Sequence, residues 1–210
     1  MVRLFPLVFL LALTGTTLSA AGDRGLATGS KAPDFTVKDI NGEEFSTRAA
    51  LQKGPLVVVF YRGGWCPYCN LQLRSLQTRV LPEISRLQAT MVAISVDRVR
   101  EGRATRDKEA PGLRIISDRK ADLLRLYRLA YKVPDHLVRR YKEEFNIDLE
   151  ASSGETHHII AVPAVLVIGT DGRIAWQYVN PDYKVRARNE DIIAAVKKLR
   201  EPLKKSRKDG

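Results

Sequence analysis

Residues 56–61, Leu-Val-Val-Val-Phe-Tyr, run apolar and mostly β-branched into Arg62, a double glycine and Trp65-Cys66-Pro67-Tyr68-Cys69. An apolar run of this length without polar alternation is how a strand covered on both faces reads. From Pro67 the period changes. Leu73, Leu76, Val80, Ile84 and Leu87 recur at three- and four-residue steps, the spacing of one helical face. A doubly covered strand that feeds a helix at once constrains the chain to an α/β architecture. Pro82 falls inside the helical pattern and predicts a kink there.

The alternation continues downstream. Residues 91–96 read as a second buried strand, 98–110 as polar helix or loop, 113–116 as a short strand, and 121–129 and 134–145 as helices. Residues 164–168 and 174–179 read as strands joined by the turn Thr170-Asp171-Gly172-Arg173, and 191–199 as a closing amphipathic helix. Near the start, 35–39 and 43–46 flank Asn41-Gly42, the strongest short hairpin signal. Strands separated by helices imply parallel pairing through crossovers, and the last hairpin adds antiparallel strands. The expected fold class is therefore α/β: a central mixed β-sheet flanked by helices on both faces.

The length of 210 residues suits one domain with short extras. Residues 1–21 read as a secretory signal: Arg3 gives the positive start, 4–13 an apolar run broken by Pro6, and Ser19-Ala20-Ala21 a small-residue cleavage site. That run is about half of the roughly 20 residues a spanning helix needs; an uncleaved anchor is the alternative. Residues 22–30 read as a lead-in, 31–200 as the domain and 201–210 as a basic tail. Export predicts a periplasmic or extracellular protein, where thiols can be held as disulfides. The net charge of +11 leaves open an acidic partner or a membrane surface. The tail reads as a solvated terminus, with electrostatic contact to anionic lipid as its sharper reading. Nucleic acid is not expected as a partner.

The chain has only two cysteines, and both fall in the Trp65–Cys69 stretch. Two thiols exclude a disulfide-dense scaffold and a four-thiolate zinc or iron–sulfur cage, and no metal or cofactor is called for. Positions i and i+3 at a helix start share a face, so the two sulfurs can meet. The free N–H groups and positive dipole end of that first turn favour a thiolate. Pro67 suits the first turn, where its missing N–H had no partner. A stabilising staple is a poor account of so small a loop, which gains roughly 2 kcal/mol against about 4.7 for a loop of about 100 residues. The pair reads as redox-active. Cys66, first at the helix entrance, is the expected exposed nucleophile, and Cys69, a turn inside, the resolving thiol.

These residues resemble the thioredoxin-fold superfamily and, within it, the peroxiredoxin-like branch of the alkyl hydroperoxide reductase/thiol-specific antioxidant family. The resemblance spans roughly residues 29–203. It rests on Ala32-Pro33-Asp34-Phe35, on Tyr61 to Asn70, on Leu81-Pro82-Glu83-Ile84, Ala93-Ile94-Ser95 and Val162-Pro163-Ala164, and on Pro181-Asp182-Tyr183 with 186–192. It implies a thioredoxin-like fold and a thiol-dependent peroxide reductase cycling Cys66 and Cys69 between dithiol and disulfide. The substrate implied is hydrogen peroxide or an organic hydroperoxide, and the donor a dithiol such as a thioredoxin-like protein. It also implies a cis peptide at Val162-Pro163, packed beside the cysteines. The chain departs from the family pattern at three places: Gly63 occupies the usual hydroxyl position, Val59 the usual proline and Val162 the usual arginine. Arg62 is the candidate to replace that arginine. What remains, Trp65 with the cysteine pair and a Val-Pro element, is closest to thioredoxin and supports disulfide exchange on exported proteins as the alternative activity.

Smaller signals complete the reading. Trp65 is expected to shape the active-site surface and Tyr68 to face solvent. Asp97 and Asp118 end strands and read as turn formers. His157-His158 could join the two cysteines as a copper-binding set, the least favoured alternative, since soft thiolates with imidazole suit copper.

Overall fold

The computed structural model describes residues 24–201. The expected signal at 1–21 and most of the 201–210 tail lie outside the described residues. Asn41-Gly42 turns the chain as its dipeptide predicts. β1 (Thr36–Lys38) and β2 (Glu44–Ser46) pair antiparallel, and the Asp39 carboxylate accepts the N–H groups of Asn41 and Glu43. The Ser46 hydroxyl then caps α1 (Thr47–Lys53) by accepting from the Ala49 N–H.

β3 (Leu56–Phe60) is buried at every residue. It lies at the centre of a five-stranded sheet. On one side it pairs in parallel with β4 (Thr90–Ser95), which pairs in parallel with β5 (Arg114–Ser117). On the other it pairs antiparallel with β8 (Ala164–Ile168), itself antiparallel to β9 (Ile174–Val179). The order is β5-β4-β3-β8-β9, the mixed sheet expected from the sequence. Side chains alternate across it. Val58 and Phe60 join a core with Phe35, Phe45, Tyr127 and Leu166. Val57, Val59 and Tyr61 face the opposite core with Leu73, Leu76, Val80, Ile84, Ile192 and Val196.

That second core is where the cysteine helix packs. Its periodic face holds, but the helix is not continuous. α2 (Pro67–Ser75) passes through a π-helical turn, Leu76–Val80, into α3 (Leu81–Arg86). Pro82 sits in the first turn of α3. With no N–H to donate, proline leaves the preceding turn free to widen. α4 (Val99–Glu109) follows β4 and resolves the helix-or-loop stretch as helix. The predicted 121–129 helix is only α5 (Asp122–Leu126). The Asp118 carboxylate caps it by accepting from the Asp122 and Leu124 N–H groups, and Arg128 leaves it with a left-handed φ of 56°.

Two three-residue strands, β6 (Ala130–Lys132) and β7 (Ile159–Ala161), pair antiparallel outside the main sheet. They were not anticipated; three residues carry no readable alternation. Between them lie α6 (Asp135–Phe145) and α7 (Leu149–Ser153), the latter capped by Asp148. α6 has no fully buried residue; it rests on the core through partly buried Leu137, Val138 and Tyr141. α8 (Asn189–Arg200) closes the second core. The expected cis link at Val162-Pro163 is corrected: every peptide bond among the described residues is trans. Trans is the default for an X–Pro bond, by about 0.5–1 kcal/mol. Here it carries the chain on from β7 to β8, with the Val162 N–H donated to Leu129 O and Pro163 O accepting from Asn180.

Candidate active site

β3 delivers the chain to the site through a loop that only glycine permits. At Gly63, φ is +154°, and a Cβ would lie 2.3 Å from Trp65 Nε1 and 2.8 Å from Asp97 Oδ1. At Gly64 a Cβ would lie 1.9 Å from Thr105 Oγ1. This is why glycine stands at the family's hydroxyl position: no side chain fits. The loop is tied down by the Gly64 N–H, donated to Asp97 Oδ2 at 2.8 Å, and by Asn70 Nδ2, donated to Gly64 O at 2.8 Å. Cys66 then takes the N-cap position of α2 with extended backbone, and Pro67 opens the helix. The Cys66 carbonyl accepts from the N–H groups of Cys69 and Asn70.

Both cysteines are free thiols and both are buried. The expectation of an exposed nucleophile is corrected: Cys66 is 1% exposed. It forms part of the floor of a pocket of about 220 Å³ walled by Arg62, Trp65, Pro67, Tyr68, Tyr141, Phe145, Ile147 and Tyr183. α6, through Tyr141 and Phe145, and the segment after β9, through Tyr183, roof the pocket that Cys66 lines. Tyr68 faces outward as expected, 38% exposed, with its ring edge-on to Tyr183. Trp65 shapes the wall and packs against Tyr141 at 6.1 Å. Pro163 does not border the Cys66 pocket; it lines a neighbouring hollow that shares Arg62, Tyr141 and Tyr183 with it.

The electrostatics separate the two sulfurs. Cys66 is lowered from 9.0 to about 6, first by the hydrogen bond from the Cys69 thiol, then by the Cys69 N–H and the guanidinium groups of Arg62 and Arg186, all working against burial. Cys69 moves the other way. Burial raises it well above the ordinary thiol value, and its bond to Cys66 and the Cys66 charge add to this. The resting pair is thus a Cys66 thiolate held by a Cys69 thiol.

Arg62, the candidate from sequence, is at Cys66. It is 6% exposed. Its Nη1 lies 3.9 Å from Cys66 Sγ and its Nη2 donates to the Tyr141 hydroxyl at 2.7 Å. The guanidinium carbon is 4.0 Å from the Tyr183 ring centre and 4.9 Å from that of Trp65, so aromatic faces hold the charge. Among the described residues no carboxylate pairs with it. Two further residues escaped sequence reasoning. Arg186 places Nη2 at 3.3 Å from Cys69 Sγ, across 117 residues of chain. Asp97 is more than a turn former. It is 1% exposed, accepts from Ser95 Oγ as well as from the Gly64 N–H, and burial pushes its carboxyl up to about 7. Its position just after a buried strand was the one available signal. The histidines are not brought to the cysteines. His157 Nε2 bonds Arg119 O and His158 Nε2 bonds Glu150, and neither lines the Cys66 pocket.

The mixed sheet flanked by helices, with two free thiols at a helix entrance, makes up a thioredoxin-like fold. The AhpC/TSA family pattern matches residues 28–177, and the chain belongs to that family of peroxiredoxin-type oxidoreductases. A comparison with curated proteins gave no match. Among solved structures it is similar to the peroxidoxin BcpB from Mycobacterium tuberculosis, with 18% identity over 83% of this chain and 98% of that one, at a TM-score of 0.63. It is also similar to the Xanthomonas campestris bacterioferritin comigratory protein, described for its alkyl peroxide reduction, with 15% identity over 80% of this chain and 92% of that one, TM-score 0.60. A third is the yeast mitochondrial 1-Cys peroxiredoxin, described for thiol resolution via glutathione/thioredoxin systems, with 17% identity over 83% and 76%, TM-score 0.60. At these identities the likeness is one of fold.

Proposed function

We propose that this protein reduces peroxides by cycling Cys66 and Cys69 between dithiol and disulfide, with a dithiol protein of the thioredoxin type as electron donor. The observation that carries the reading is a low-pKa thiolate at the floor of an aromatic pocket, with a buried guanidinium beside it and a second thiol behind it. Cys66 Sγ attacks the outer oxygen of the hydroperoxide. The O–O bond breaks, the alkoxide takes up a proton and leaves as alcohol, and Cys66 becomes a sulfenic acid. Arg62 faces the charge that develops on the oxygens. Cys69 then closes the disulfide with loss of water, and the donor restores the dithiol. The aromatic walls favour an organic hydroperoxide, which the reading places ahead of hydrogen peroxide.

The second reading is disulfide exchange on exported proteins, favoured by the Trp65–Cys69 motif. Burial of Cys66 favours a small oxidant over a folded protein's disulfide. Both activities are measured on one preparation of reduced protein. Consumption of cumene hydroperoxide far faster than by free cysteine, abolished by Cys66→Ser, is the expected result. A rate no better than free cysteine, with brisk reduction of insulin disulfides, would replace it with the second reading. The leader at 1–21 supports export; recovery outside the cytoplasm with a chain beginning at Gly22 is the outcome expected by mass spectrometry. The basic tail is proposed to touch anionic lipid, which co-sedimentation with anionic vesicles tests against a chain lacking 201–210.

A further inference from the structure

Arg186 lies between β9 and α8 and reaches back to the second cysteine. Its Nη2 donates to Cys69 Sγ at 3.3 Å and its Nη1 to Gln72 Oε1 at 3.1 Å. Gln72 stands on α2, three residues beyond Cys69, so the helix that carries the sulfur also aims the guanidinium. Asn189 pins the same segment to α2 a second time through Ser75 Oγ, at 2.8 Å. Among the described residues no carboxylate pairs with Arg186, and its Nε is buried without a partner. The fork is therefore committed to the sulfur and the glutamine.

The sulfur it faces is the one that needs help. Cys69 is wholly buried, and a thiol in such surroundings holds its proton and attacks poorly. In the resting dithiol, Cys66 reinforces this through its hydrogen bond and its charge. Oxidation of Cys66 to the neutral sulfenic acid removes that charge and the thiolate that accepted the bond. The guanidinium stays. Resting on the peroxidase reading above, we propose that Arg186 is a catalytic residue of the disulfide-closing half of the cycle, stabilising the Cys69 thiolate as it attacks Cys66 Sγ. In that step Cys69 gives up its proton and its sulfur electron pair forms the S–S bond. The S–O bond of Cys66 breaks, and the departing hydroxide takes a proton to leave as water. Cys69 is oxidised, the sulfenic sulfur is reduced, and Arg186 is unchanged. The arrangement sets an order: Cys66 must react before Cys69 becomes a nucleophile.

The test loads Cys66 without a peroxide. Reduced full-length protein is mixed with dithiodipyridine. The Cys66 thiolate displaces one thiopyridone, and attack by Cys69 on Cys66 Sγ releases a second. In Arg186→Gln the ratio of second-phase to first-phase rate is expected to fall about tenfold or more, and the pH midpoint of the second phase to rise by about one pH unit. Arg186→Lys, which keeps the charge without the fork, recovers part of the rate. Gln72→Leu, which releases the guanidinium, lowers the ratio in the same direction. A wild-type ratio and midpoint in Arg186→Gln overturns the proposal. If Arg186→Gln does not fold, the other two variants decide, and wild-type ratios in both overturn it. Because no peroxide takes part, a slow peroxide reaction of the wild-type protein would sink the peroxidase reading while leaving this role of Arg186 to stand or fall by itself.

Discussion

The acidity of Cys66 has a ranked set of causes, and the ranking is testable one side chain at a time. Thiolate is populated above about 6, so the rate of peroxide attack should rise as pH climbs through that value and level off above it. Cys69 supplies the largest lowering effect and Arg62 a smaller one. Cys69→Ala should therefore move the midpoint up further than Arg62→Gln, whose rise is expected at about half to one pH unit. Thiolate ultraviolet absorbance against pH reads both; the reverse order would refute the hydrogen-bond account. Asp97 carries a stability consequence of opposite sense. Its folded value is raised from 3.8 to about 7 by burial, so the folded state holds the proton more tightly. The associated stability is complete below pH about 4 and is lost as pH rises through about 7. Asp97→Asn should then gain on the wild type by about 2–4 kcal/mol between pH 5 and 8, measured by urea unfolding at the two pH values. At this scale the sequence revealed what was local. Cys66, Cys69, Trp65 and Arg62 lie within eight residues of one another, and their roles follow from a helix start. Arg186, Tyr141 and Tyr183 reach the site across the whole chain, and no spacing rule encodes such a contact.

At the scale of elements, the loop from β3 to α2 is the component with least tolerance. Gly63 combines a positive φ with a crowded site, so Gly63→Ala must displace Trp65 or the Asp97 carboxylate. The expected cost is about 1–3 kcal/mol of stability, with a larger loss of peroxide reactivity than the stability change explains, because Cys66 moves with the loop. Equal stability and rate in the variant would show that the loop relaxes freely. Strands with a continuous apolar run, such as β3, β4 and β8, were legible, as were β9 and the periodic face of α2. The π-helical turn was not, because the Leu73, Leu76, Val80, Ile84 spacing tolerates one extra residue per turn without exposing an apolar side chain. The burial of Cys66 was also illegible, since the roof comes from α6, which has no fully buried residue and whose docking depends on a few partly buried contacts.

The described residues form a sheet with a core on each face, and the thiols lie where its central strand β3 runs on into α2. The mixed character of the sheet followed from the alternation of buried runs with helical segments and the closing hairpin; its order, β5-β4-β3-β8-β9, came from the structure. The parts added outside the sheet, β6 and β7 with α6 and α7 between them, decide how the thiolate meets its reactant. The chain is strongly basic, +11 over 210 residues, and charges that lie in water are weakened by mobile counter-ions over about 8 Å at physiological ionic strength. Arg62 is different: it is enclosed by the rings of Trp65, Tyr141 and Tyr183. It is 6% exposed and 3.9 Å from the Cys66 sulfur, a buried pair well inside the screening distance, where salt acts weakly. Added sodium chloride should therefore erase surface pairs such as Arg140 with Glu144 yet leave the thiolate as acidic as before, to within about 0.3 pH unit, so that the reactive sulfur is insulated from the brine around it.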